Sequence, residues 1–106
     1  MENRMRELFY PSGKIKHRSH VEKGKLCGLS EFYSEEGTLL SKVHYSHDES
    51  HGKAEFFYLS GAPFSLQHFD NGVWDGVQEF YTEEGKLKTK LHYRKGIPEK
   101  VEFIEP

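Results

Sequence analysis

Seven histidines stand in this 106-residue chain beside a single cysteine, Cys27. Four of them, His20, His44, His68 and His92, recur every 24 residues, as do the carboxylates Glu7, Glu31, Glu55 and Glu79. Regular imidazoles raise metal ligation, and regular carboxylates raise general acid and base catalysis. Geometry argues against the first. Donors sharing a zinc sit within about 3.5 Å of one another, because Zn–N bonds are about 2.0 Å long. Equivalent positions on successive hairpins are two strand spacings, roughly 9.6 Å, apart. The histidine column is therefore expected to be structural, each ring packed beside a glycine of the adjoining strand: His44 over Gly28, His68 over Gly52, His92 over Gly76. His47 and His51, close to Asp48 and Glu49, offer a metal only an adventitious grip, so neither metal nor cofactor is expected. Repeated glutamates have repeated environments, whereas an acid and base pair needs environments that push two pKa values apart.

Nucleophilic chemistry has no better support. Neither Cys27 nor any serine stands in a nucleophile elbow or beside a histidine with an orienting acid. The segment GKLCG lacks the spacing of a phosphate-cradling loop. The expectation is a protein without catalytic activity. A lone thiol cannot form an internal disulfide and fits a reducing cytoplasm. No apolar run is long enough for a signal core or a membrane span. The net charge of −2 selects no polyanion or membrane partner in bulk.

The elements that position these side chains are legible in the same period. The segments 7–28, 29–52, 53–76 and 77–100 align, with Gly13, Gly37, Gly61 and Gly85 in register. Composition agrees, with 10 Gly, 8 Phe and 6 Tyr suiting strands and turns over helices. Each unit reads as a β-hairpin: an aromatic-rich run, a three-residue turn ending on glycine, and an alternating run. Glycine there supplies the positive φ of a type I turn with a bulge, pairing Ser34 with Thr38 and Thr82 with Lys86. Connections between hairpins, such as SHDESHG, read as looser segments of about seven residues. Residues 101–104 read as a terminal strand, giving one domain over 1–106 with about nine strands.

Counting outward from the turns by the period of two puts Leu29, Glu31, Tyr33, Leu39, Ser41, Val43 and Tyr45 on one face, expected to be buried. Glu31 then faces Ser41, Glu55 faces Ser65 and Glu79 faces Thr89. The other face is expected to be solvated, with Phe32, Phe56 and Phe80 among Lys16, Arg18, Lys42, Lys88 and Lys90.

The Glu-Phe-Tyr and Gly-x-Leu steps in HYSHDESHGKAEFFYLSG and HFDNGVWDGVQEFYTEEGKL resemble the MORN-repeat variant of bacterial proteins often labelled as the antitoxin component of a toxin and antitoxin module. The resemblance implies an elongated, twisted antiparallel meander of four hairpins. It also implies a non-catalytic scaffold or binding surface that sequesters another protein. In the third unit Phe56, Phe64 and Leu66, with Trp74 in the loop that follows, are expected to form an apolar protein-binding patch. The alternative from another class is a nucleic-acid-binding face built on Lys16, Arg18, Lys88 and Lys90 beside the Phe column. Exposed edge strands leave pairing into a homodimer open.

Overall fold

The computed structural model describes residues 3–104, so positions 1–2 and 105–106 of the expected domain lie outside the described residues. Ten strands follow in order: β1 (Asn3–Phe9), β2 (Ile15–Glu22), β3 (Lys25–Tyr33), β4 (Leu39–Ser46), β5 (Glu49–Phe57), β6 (Pro63–Asp70), β7 (Val73–Trp74), β8 (Gly76–Tyr81), β9 (Leu87–Arg94) and β10 (Ile97–Phe103). They form one antiparallel sheet in chain order, with β7 paired to β6 just before β8 takes over that position. Ten strands thus fill nine positions, because Asp75 parts β7 from β8. The molecule measures 44 × 31 × 13 Å. A thickness of 13 Å holds one layer, since a second packed sheet adds about 10 Å. The all-β meander is as the sequence implies.

Along one edge run the expected wide turns. Ser34 N–H donates to the Thr38 carbonyl at 2.8 Å and Gly37 N–H to the Ser34 carbonyl at 3.0 Å, and Thr82, Gly85 and Lys86 repeat the pattern. Gly37 has φ of 97°, which a side-chain-bearing residue rarely adopts. The opposite edge corrects the sequence reading. The connections are two-residue turns, Lys23-Gly24, His47-Asp48, Asn71-Gly72 and Lys95-Gly96, with positive φ at both positions. Pairing continues up to them through Glu22 with Lys25 and Ser46 with Glu49. Two positive φ values make type I′ turns, whose twist matches that of the strands they join, so polar residues at the strand ends do not interrupt the ladder. In the second of these turns Asp48 stands where the others carry glycine. Its carboxylate accepts the Leu26 N–H at 2.6 Å, and its own N–H donates to the Leu26 carbonyl at 3.0 Å.

The face assignment also needs correction. Beyond each wide turn the second strand carries one extra residue. Phe9 pairs with Ile15 but Leu8 with His17; Tyr33 pairs with Leu39 but Phe32 with Ser41. Phe57 and Phe56 pair with Pro63 and Ser65, and Tyr81 and Phe80 with Leu87 and Thr89. The skipped residues are Lys16, Leu40, Phe64 and Lys88, one bulge after each wide turn. A one-residue slip exchanges the faces of everything beyond it. Glu31, Glu55 and Glu79 therefore do not face Ser41, Ser65 and Thr89.

Two cross-strand rows result. One sets Leu8, Phe32, Phe56, Phe80 and Phe103 on alternate strands, with His17, Ser41, Ser65 and Thr89 between them. The other alternates in charge: Glu7, Arg18, Glu31, Lys42, Glu55, Leu66, Glu79, Lys90 and Glu102. They lie on opposite faces, called here the aromatic face and the charged face. The core belongs to the aromatic face, where Val21, Val43 and Ala54 are buried with Ser19, Ser30, Ser41, Ser65 and Gln78. Small residues are covered there by the aromatic rings of neighbouring strands.

The histidines shift partner as well. A Cβ on Gly28 would lie 3.7 Å from the Cβ of His20, one on Gly52 3.9 Å from that of His44, and one on Gly76 3.7 Å from that of His68. Each histidine meets the glycine of the following strand, not the preceding one, because it is the skipped residue in that pairing, as between Ser19 and Val21 or Val43 and Tyr45. The spacing is ordinary van der Waals contact, so positive φ is what selects glycine.

Candidate protein-binding face

The third and fourth hairpins gather aromatic rings on the aromatic face. Phe64 lies edge-on to Tyr58 (centroids 5.2 Å apart) and Phe80 (6.1 Å), and Trp74 lies edge-on to Phe80 (6.3 Å) and Tyr93 (4.9 Å). Such geometry sets the positive ring edge against the negative face. Local sequence explains how the rings converge. Phe64 is the bulge residue of β6, freed from the ladder and leaning onto Phe80 of β8. Trp74 is held from β7 through its pairing with Phe69, and is not in a loop as expected.

Polar neighbours fix the cluster. The Trp74 indole N–H donates to Gln67 Oε1 at 3.0 Å, and Gln67 Nε2 donates to Ser65 Oγ at 2.8 Å. Tyr58 O–H donates to the Tyr81 carbonyl at 2.7 Å, reaching across into the next hairpin as Tyr10 does to Tyr33 in the first pair. Phe64 remains 40% exposed, so the cluster has an open side.

Of the four residues expected in the apolar patch, Phe56, Phe64 and Trp74 share this face. Leu66 does not: it sits in the charge-alternating row on the other side, between Glu55 and Glu79. Phe80 of the expected Phe column completes the cluster together with Tyr58 and Tyr93. Counting by twos across position 64 puts Leu66 on the face of Phe56, Phe64 and Phe80, and the bulge at Phe64 moves it to the other.

The basic residues of the nucleic-acid reading are divided, Arg18 and Lys90 lying on the charged face and Lys16 and Lys88 at the bulge positions equivalent to Phe64. Arg18 lies in the charged row, its guanidinium 3.0 Å from Glu7 and 4.0 Å from Glu31. Lys90 lies in the same row between Glu79 and Glu102. Lys16 and Lys88 occupy bulge positions, and the ammonium of Lys16 stands 5.8 Å from the centre of the Tyr10 ring. Among the described residues no three His, Cys, Asp or Glu side chains are grouped to hold a metal ion, and no helix is long and apolar enough to cross a membrane.

Residues 26–47 span β3, its wide turn and β4, and residues 74–95 span β7, β8, their wide turn and β9, each ending in the tight turn that follows. Both segments match the MORN repeat variant. Their starts are 48 residues apart (26 to 74), twice the period, and the wide turns alternate with the same double step. Turns in the MORN-matching hairpins use Ser34 or Thr82, whose hydroxyls accept from Thr38 N–H and Lys86 N–H. The turns between use Tyr10 or Tyr58, with Ser12 or Ser60 as acceptor.

Among solved structures, a chain of the Glycosylation Associate Protein (Gap123) complex from Streptococcus agalactiae is similar over 94% of this chain, at 20% identity and a TM-score of 0.53. The similarity is one of fold, and this chain spans 18% of that chain's length. No curated protein matches.

Proposed function

We propose that this MORN-type sheet is a non-catalytic scaffold, working in the cytoplasm, that binds another protein through the Phe64, Phe80, Trp74 and Tyr93 cluster. The observation that carries the reading is the convergence of these rings on one open face, fixed by Gln67 and Ser65. Rigid aromatic anchors dominate the energetics of protein interfaces. A sheet one layer thick, with a core of small residues, suits presentation of a surface over enclosure of a substrate. Sequestration of a partner in the manner of an antitoxin is the finer form of this proposal, and it is supported by the family resemblance of the repeats. That the structural neighbour is named as a complex is in keeping with a protein partner.

The test uses a substitution the fold already tolerates at equivalent positions. Phe64→Lys places at the third bulge what the first and fourth bulges carry as Lys16 and Lys88. Affinity purification from native lysate, read by mass spectrometry, is expected to recover a stoichiometric partner with the parent chain. Recovery should fail with Phe64→Lys or Trp74→Ala while circular dichroism of Phe64→Lys stays unchanged. Recovery undiminished in both variants would refute the proposed face. A salt-sensitive affinity for single-stranded nucleic acid would instead favour the electrostatic alternative.

A further inference from the structure

The charge-alternating row has one irregular member. On alternate strands of the sheet its positions hold Arg18 in β2, Lys42 in β4 and Lys90 in β9, each between two glutamates of the flanking strands. In β6 the same position holds Leu66, between Glu55 and Glu79. Directly opposed residues on one face have Cβ atoms about 5 Å apart, the reach over which unlike charges in the rest of the row attract. The row thus carries five carboxylates and three cations, and its missing cation falls at Leu66.

The surface is hollow at that point. A pocket of about 240 Å³ lies beside Leu66, lined by the charged-face residues Glu55, Phe57, Pro63 and Tyr81 with Gly85, and bordered by Phe56 and Ser65 of the other row. Glu79 lies just outside the lining and is tied to it through Tyr81, whose O–H donates to Glu79 Oε1 at 2.9 Å. Burial and this acidic neighbour push the Tyr81 phenol upward, so it stays a neutral donor. Glu55 makes no side-chain hydrogen bond or ion pair among the described residues. Gly85 ends the turn bearing Glu83 and Glu84, which adds negative charge at the rim.

We infer that this pocket receives a lysine or arginine side chain from a partner protein, supplying in trans the cation that β2, β4 and β9 supply in cis. An aliphatic stem lies on Leu66, Phe57 and Pro63, and its charged head reaches Glu55 and Glu79. Long basic side chains are suited to this division, with an apolar stem and a polar tip. A plain aliphatic chain satisfies the walls but leaves the carboxylates unmatched, and a small cation satisfies the carboxylates but not the walls. The site faces away from the aromatic cluster and stands whether or not that cluster binds.

The probes are the blocked pentapeptide Ac-Gly-Gly-Lys-Gly-Gly-NH2, its arginine counterpart and its norleucine counterpart, titrated into the ¹⁵N-labelled full chain. Saturable shifts are expected at the amides of Glu55, Leu66, Tyr81 and Gly85 with the lysine or arginine peptide, weakening as salt is raised. The norleucine peptide should bind roughly tenfold more weakly, as should the lysine peptide to Glu55→Gln/Glu79→Gln. Leu66→Lys fills the vacant position from within, with a residue the repeat accepts elsewhere, and should abolish the shifts while circular dichroism is unchanged. Equal binding of norleucine, unaltered binding to folded Leu66→Lys, or the absence of localised shifts would overturn the inference.

Discussion

The side-chain amide of Gln78 takes the place of a peptide group opposite His68. Its Oε1 accepts the His68 N–H at 2.6 Å and its Nε2 donates to the His68 carbonyl at 3.1 Å, with the side chain fully buried. His68 needs this partner because the ladder between β6 and the next strand breaks at Asp75. Gln78→Leu leaves the His68 N–H without its acceptor, while the His68 carbonyl keeps the Asp75 N–H as donor. A loss of about 1–3 kcal/mol in urea denaturation is expected. A loss below about 0.5 kcal/mol would mean that water satisfies the His68 N–H.

Ser19 and Ser30 face one another across β2 and β3, both buried and neither hydroxyl hydrogen-bonded. The next members of that row, Val43 and Ala54, are apolar. Replacing both partners of a buried polar pair by apolar groups of similar shape is close to neutral or stabilising. Ser19→Val/Ser30→Ala is expected to keep or raise the denaturation midpoint, and a clear fall would reveal a hydrogen bond in solution.

His17 stacks on Phe32 with centroids 4.0 Å apart and planes 16° apart. Burial, and secondarily the charge of Arg6, holds its pKa below the ordinary 6.5. The folded state thus favours the neutral ring. Its contribution is fully present above the ordinary value and is lost as pH falls through the lowered one. A ring-proton NMR titration should show His17 titrating below the ordinary 6.5, and Arg6→Gln should move it upward.

His92 and Glu102 pair across β9 and β10. The hydrogen bond to His92 holds the Glu102 carboxyl below the usual carboxylate range. A depressed carboxyl stabilises the fold above its unfolded pKa, and that contribution fades as pH falls through the folded one. Amide protection along β10 should therefore decline at acidic pH earlier than that of β4. Glu102→Gln should remove this extra sensitivity, and an unchanged profile would exclude the pair as its source.

Asp48 holds φ of 70° where equivalent turns use glycine. Asp48→Gly relieves the backbone but loses the carboxylate bond to Leu26, so the two effects should nearly cancel. Asp48→Ala loses the bond and keeps the unfavourable φ, and about 1–2 kcal/mol of destabilisation is expected in thermal or urea unfolding. Equal stability of the two variants would show that φ carries no cost here.

The wide turns were legible because Gly37 and Gly85 recur with their polar partners at a fixed distance, and turn chemistry is local. The bulges at Lys16, Leu40, Phe64 and Lys88 were not. A bulge has no obligatory residue type, and these four positions hold lysine, leucine and phenylalanine. The tight turns were missed for a related reason: Lys23, His47, Asn71 and Lys95 adopt positive φ without being glycine.

The candidate site divides along the same line. Phe64 and Trp74 announced themselves by size and type, whereas the company they keep depends on which face Phe64 takes. Leu66 illustrates the converse. Its sequence neighbours make it look like part of an apolar patch, and its cross-strand neighbours are two glutamates.

A 24-residue period, with its turn glycines, Glu-aromatic steps and alternating strands, is enough to dictate repeated antiparallel hairpins, because each of those preferences acts over a few residues. The choice of face acts over the whole strand and turns on one unpaired residue. Its outcome depends on how Ser19, Val43, Ala54 and Gln78 pack beneath the aromatic rings of neighbouring strands. That packing is a property of the assembled sheet. It puts the aromatic cluster on one side and the interrupted charge row on the other.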